Sequence, residues 1–227
     1  MSHLKSTRLG LVFAASSFVF LSACGGSSPS VTTESVPPET SIVEPSTTTT
    51  VPIVVNPLTG EPAADVTILS RPAMVVKIDN HPKAQPQVGI NQADIIFEEN
   101  VEKLTRFAAV FHSQGSDPVG PIRSGRFQDI NLLGSLNKPL FVWSGGNPKV
   151  TSAIHKSDLV DLSYTVANKD GGFQRDSDRP APHDLFAETS KLWTLAPDGS
   201  GPPPQQFVYR SASDAVPPSA QRVAGVK

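Results

Sequence analysis

From residue 73 onward, short apolar runs of strand length alternate with stretches rich in proline, glycine and asparagine. Ala73–Asp79 (AMVVKID), Asp94–Glu98 (DIIFE), Thr105–His112 (TRFAAVFH) and Leu140–Ser144 (LFVWS) are rich in β-branched and aromatic residues, and the pattern predicts a strand at each. Within TRFAAVFH, Thr105, Phe107, Ala109 and Phe111 fall on one face, and Arg106, Ala108, Val110 and His112 on the other. Helical spacing appears later: Phe127, Ile130, Leu133 and Leu136 predict a helix over Arg126–Leu136, weakened at Gly134. A Ser144-Gly145-Gly146 turn follows the fourth strand, with Asn147 as N-cap and Pro148 in the first helical turn, so a second helix is expected to run to about Lys156. Pro182–Trp193 reads as a third helix and QFVYR, residues 206–210, as a last strand. Interleaved short strands and helices predict an α/β or α+β fold: a mixed sheet with short helices packed on it and Pro-rich loops.

The beginning of the chain has a different character. A basic stretch, MSHLKSTR, precedes the apolar Leu9–Leu21 and the small residues Ser22 and Ala23, the order of a secretion signal spanning residues 1–23. Thirteen residues make about 20 Å of helix, short of the roughly 30 Å of hydrocarbon in a bilayer. The single cysteine, Cys24, stands directly behind Leu-Ser-Ala, as in a lipoprotein lipobox, and is the expected site of lipidation and membrane anchorage. Two or more acyl chains would then hold the protein on the extracytoplasmic face of the membrane, each buried methylene contributing about 0.8 kcal/mol. Residues 24–55 read as the lipidated cysteine and a stalk: between Gly25 and Val55, 18 of 31 residues are Ser, Thr or Pro and none is aromatic, too little apolar area to offset ordering. The expected globular domain is 56–210, with 211–227 a linker or the start of a further domain.

Charge and cysteine content narrow the function classes. The net charge of −2, without a block of basic residues interleaved with aromatics, argues against nucleic acid. One cysteine excludes an intramolecular disulfide and any site needing two or more thiolates. No metal or cofactor motif is evident, so neither is expected.

RPAMVVKIDNHPKAQPQVGINQADIIFEENVE (71–102), LTRFAAVFHS (104–113), VGPIRSGRFQDINLL (119–133), KPLFVWSGGN (138–147) and RPAPHDLF (179–186) together resemble the YerB-like family of bacterial lipoproteins. The resemblance implies a lipid-anchored extracytoplasmic protein whose N-terminal domain is followed by a smaller C-terminal one. It implies no reaction. The sequence stops about where the second domain would begin, so a site built between the two would be incomplete.

Four polar constellations are candidates for chemistry. Arg123-Ser124-Gly125-Arg126 sets two guanidiniums around a small, flexible pair at a loop-to-helix junction, suited to a carboxylate or phosphate; the alternative pairs them internally with Glu98, Glu99, Glu102 or Asp129. Ser144-Gly145-Gly146-Asn147 is either a ligand loop or a plain tight turn, and Ser144 lacks the flanks of a nucleophile elbow. Asp79 and His81 end the first strand on one side, where they would join His112 or His183, or merely shape the loop to Pro86. Arg175 to Arg179 with His183 and Asp184 is either a solvated, self-paired loop or a set of groups carried over the strand ends, and Arg106 belongs among the accessory residues. The preferred expectation is a non-catalytic envelope module recognising a wall component, a peptide or a protein. The alternatives are a wall-active enzyme using Glu98 or Glu102 with Arg123 and Arg126, and a solute-binding lipoprotein, disfavoured because some 172 residues rarely make two lobes.

Overall fold

The computed structural model describes residues 53–101, 103–210 and 213–220. Cys24, the leader, most of the stalk and Glu102 lie outside them. Five strands form one sheet: β1 (Met74–Asp79), β2 (Ile95–Val101), β3 (Leu104–Phe111), β4 (Leu140–Trp143) and β5 (Val160–Ser163), in the order β2-β3-β1-β4-β5. β2, β3 and β1 are antiparallel, whereas β1, β4 and β5 run parallel. This is a mixed sheet in an α+β domain, as the alternation of elements predicts.

Both faces of the sheet are covered, which is why β1 is buried at all six positions. On one face Val75, Ala108, Val110, Phe141 and Trp143 pack with Leu133 of α1 (Phe127–Leu133) and with Val150 and Ile154 of α2 (Pro148–His155). On the other, Met74, Val76, Ile78, Phe111 and Val142 meet α3 (Tyr164–Ala167), a ribbon of β6 (Phe173–Arg175) with β7 (Leu185–Ala187), and α4 (Thr189–Trp193). Asn147 caps α2 as expected, its side chain accepting from Val150 N at 3.0 Å. The first helix ends at Leu133 and tightens into a 3₁₀ turn over Gly134–Leu136; Leu136 is buried but Phe127 is exposed.

Two expectations are corrected. Pro182–Trp193 is not one helix: Leu185–Ala187 is strand, and only Thr189–Trp193 is helical. The backbone of Leu185 and Ala187 is claimed by a distant segment, with Ile122 N donating to Leu185 O at 2.7 Å and Val119 N to Ala187 O at 2.8 Å, so tertiary pairing overrides the local pattern. QFVYR forms no strand, for no backbone among the described residues pairs with it; instead Tyr209 donates its hydroxyl to Pro57 O at 3.1 Å and its ring packs on Gly60.

Candidate functional site

In this sheet the chain leaves β1 for β2 on one side and leaves β4 for β5 on the other, so the strand order reverses between β1 and β4. In open sheets with parallel strands, a crevice forms at the C-terminal ends of the strands at such a reversal. Here the segment Val119–Gly125 runs into it. Asp79 N donates to Pro121 O at 2.9 Å and Arg123 N to Lys77 O at 2.8 Å, which fixes the segment to β1. Ser144 N donates to Arg123 O at 3.0 Å and Gly125 N to Gly145 O at 3.1 Å, which fixes it to the loop after β4. The Arg123–Arg126 and Ser144–Asn147 loops, read separately in the sequence, are therefore stitched together. Gly125 is required there: a Cβ would lie 2.8 Å from Trp143 Cε3 and 3.0 Å from Ile154 Cδ1.

The residues on the α1 side of the sheet form a charged layer at this end. Register places Asp79 opposite Arg106 and Arg106 opposite Glu99, so all three share one face. Arg106 donates to Ser124 O at 2.9 Å, holding the loop from beneath. Lys77, fully buried in the same face, contacts Glu99 and lies 2.6 Å from Asp129 Oδ1. Asp129 also accepts from Arg126 N at 2.6 Å, so the start of α1 is already capped by a carboxylate from inside. Burial pushes the Asp129 carboxyl up to about 6; Lys77 opposes that shift and Glu99 adds to it.

Asp79 organises the other side of the crevice. Its Oδ2 lies 2.7 Å from His183 Nδ1 and 3.1 Å from Arg123 Nε, while its Oδ1 accepts from His81 N at 2.9 Å. The Arg123 contact is an ion pair rather than an aligned hydrogen bond. The rings of His81 and His183 stack with centroids 4.9 Å apart. His183 arrives because β7, two residues downstream, pairs with Val119–Ile122. Its Nδ1 faces a carboxylate, so in the neutral imidazole Nε2 is the acceptor. His183 is 7% exposed, and Nε2 has no partner among the described residues yet keeps contact with solvent.

The other candidates sit apart. Glu98 is exposed on the opposite face of β2 and accepts from Thr105 Oγ1 at 2.7 Å, so it does not face Arg123 or Arg126. The internal partner of Arg123 is Asp79, not Glu98, Glu99 or Asp129. Arg175 pairs with Asp184 at 2.9 Å, and Arg179 donates to Ala84 O and Pro86 O, both at 2.9 Å, fastening the loop after His81. His112 is buried just past the end of β3, and burial, with the nearby Arg71 charge, lowers its pKa. Among the described residues no group of three or more His, Cys, Asp or Glu side chains is arranged to hold a metal. Lys77 and Glu99 were missed as a pair. The signal was a lysine inside an otherwise apolar run, which a two-faced central strand buries and which therefore needs carboxylates.

The family described as "Protein of unknown function (DUF3048) N-terminal domain" matches residues 58–201, which contain the whole crevice. The chain belongs to this family. It is also similar to "Putative lipoprotein YerB" of Bacillus subtilis (strain 168), with 42% identity over 93 residues covering 40% of this chain and 28% of that protein. The crystal structure of YerB protein from Bacillus subtilis superposes with a TM-score of 0.57 at 30% identity, covering 63% of this chain and 48% of that one. The matched region is thus about half the length of the solved relative and under a third of the curated one. Among the described residues of this DUF3048 domain, no helix is long and apolar enough to cross a membrane.

Proposed function

We propose that this chain is a lipid-anchored, extracytoplasmic binding module of the cell envelope that captures an anionic group, a carboxylate of a wall peptide or of a protein, in the crevice between β1 and β4. The observation that carries the reading is the Arg123 guanidinium at the stitched loops. It lies 3.1 Å from Asp79 Oδ2 yet keeps 23% of its side chain exposed, where the strand order reverses. A guanidinium there offers a planar donor fork that matches a carboxylate. The Leu-Ser-Ala-Cys24 sequence and the name of the relative support the anchor.

Titrating the Cys24→Ser chain with soluble wall peptides that carry free carboxylates is expected to shift the backbone amide resonances of 123–125 and 144–147. Arg123→Ala should weaken that binding about tenfold, roughly 1.4 kcal/mol, while moving the melting temperature little. Shifts confined to other surfaces, or equal affinity in the variant, refute the crevice. The anchor is tested by cell fractionation with mass spectrometry of the mature N-terminus: the native chain should partition with membranes carrying acyl groups on Cys24, and Cys24→Ser should not. An unmodified thiol would overturn it.

A further inference from the structure

The crevice selects for more than negative charge. Arg123 and His183 are tied to a single atom, Asp79 Oδ2, at 3.1 and 2.7 Å, and Arg123 Nη1 also reaches Pro182 O, next to His183, at 3.5 Å. The Arg123 side chain is 23% exposed. A guanidinium donor and an imidazole acceptor are thereby held as neighbours by one carboxylate. His183 is more than nine-tenths buried, and its Nε2 makes no hydrogen bond within the described residues and keeps only solvent contact, so this acceptor is open to a ligand N–H. On these grounds, and resting on the carboxylate reading above, we propose that the ligand is a peptide C-terminus: its carboxylate lies on Arg123, and the N–H of its last amide donates to His183 Nε2.

A peptide end has the required chemistry because its anionic group and an N–H donor are separated by one carbon atom. A simple carboxylate supplies the charge and leaves Nε2 unmatched. Asp79 is a positioning residue in this arrangement, since it orients both ligand-contacting groups and touches no ligand itself. The third contact to Asp79, from His81 N at 2.9 Å, and the His81 ring stacked on His183 restrict rotation of the imidazole.

The test uses two probes of nearly equal shape: N-acetyl-Ala-Ala, and the ester in which the last amide N–H is replaced by oxygen. With the Cys24→Ser chain, the amide should bind about tenfold more tightly than the ester, and C-terminal amidation of the peptide should abolish binding. His183→Asn keeps a donor toward Asp79 but lacks an atom at the Nε2 position, and should bind amide and ester alike. His183→Gln places an acceptor near that position and should restore part of the preference. If the wild-type chain binds both probes equally while Arg123→Ala still weakens them, the peptide inference falls and the carboxylate reading stands. If neither probe binds saturably, or amidation and Arg123→Ala have no effect, both fall. Melting curves of the two His183 variants confirm that each is folded, so a lost preference reports on the site.

Discussion

Lys77→Met is the most informative single change to the buried charge cluster. The lysine is fully buried between Glu99 and Asp129, and Met matches much of its volume without its charge. At pH 7.5 the substitution leaves two buried carboxylates without the ammonium that both contact, a loss expected to cost about 3–5 kcal/mol of unfolding free energy. Acid should relieve it. Asp129 already has a folded-state pKa of about 6 against an ordinary 3.8, a raised value, so its favourable contribution is fully present below about 3.8 and is lost as pH rises through about 6. That difference corresponds to about 3 kcal/mol across the interval. Without Lys77 the shift should grow, because the group that opposed it is gone while burial and Glu99 remain. Urea unfolding of the wild type and the variant, at pH 7.5 and at pH 4.5, measures the difference in each condition. The penalty should fall to about half or less at the lower pH, where a bound proton replaces the missing cation. Equal penalties at the two values would mean that packing, not charge, sets the cost, and would refute the electrostatic account of the cluster.

Further changes probe the crevice more directly. Gly125→Ala forces a Cβ to within 2.8 Å of the Trp143 ring and should cost about 1–3 kcal/mol in thermal or urea unfolding; an unchanged midpoint would show that the stitched loops yield easily. Trp143→Phe deletes the donor to Asp161 Oδ1 at 2.8 Å and should cost about 1 kcal/mol beyond the lost ring volume; Asp161 retains Ser163 N and His155, so a much larger loss would contradict the assignment. Asp129→Asn removes the titrating group, and the difference in stability between pH 4 and pH 6.5 should flatten relative to wild type; an unaltered slope would assign it to another residue.

How much of this was visible beforehand follows from how local each signal is. The four strands with continuous apolar runs were legible to within a residue, except that β2 runs three residues past the expected Glu98 to Val101, and the Asn147-Pro148 helix start was read from its cap chemistry alone. β5 was not, because Val160-Asp161-Leu162-Ser163 is short and half polar and takes its strand form from pairing with β4. β6 and β7 are three residues each; they pair with one another, and β7 is held besides by Val119 and Ile122, far away in the chain. The site shows the same division. Arg123, Ser124 and the Ser144–Asn147 turn stood out as residue types in suggestive surroundings, and Asp79 was paired with His81, with His112 or His183 as a further member. The sequence held no sign that Asp79 would anchor Arg123 and His183 through one oxygen, because that contact spans 104 positions. Glu98 and Glu99 looked equivalent as neighbours; the two-residue period of the strand sends one to solvent and the other to Lys77.

Seven residues, Val119 to Gly125, set the spacing of nearly everything described. They bond to Val88 through Gly120, to β7 through Val119 and Ile122, to β1 through Pro121 and Arg123, and to the turn after β4 through Arg123 and Gly125. Adding or deleting one residue within this stretch would throw several of these alignments out of step together. Length is therefore frozen here more firmly than side-chain identity, and an engineer lengthening loops in this domain should cut elsewhere, for instance at the exposed Asp198-Gly199 bend.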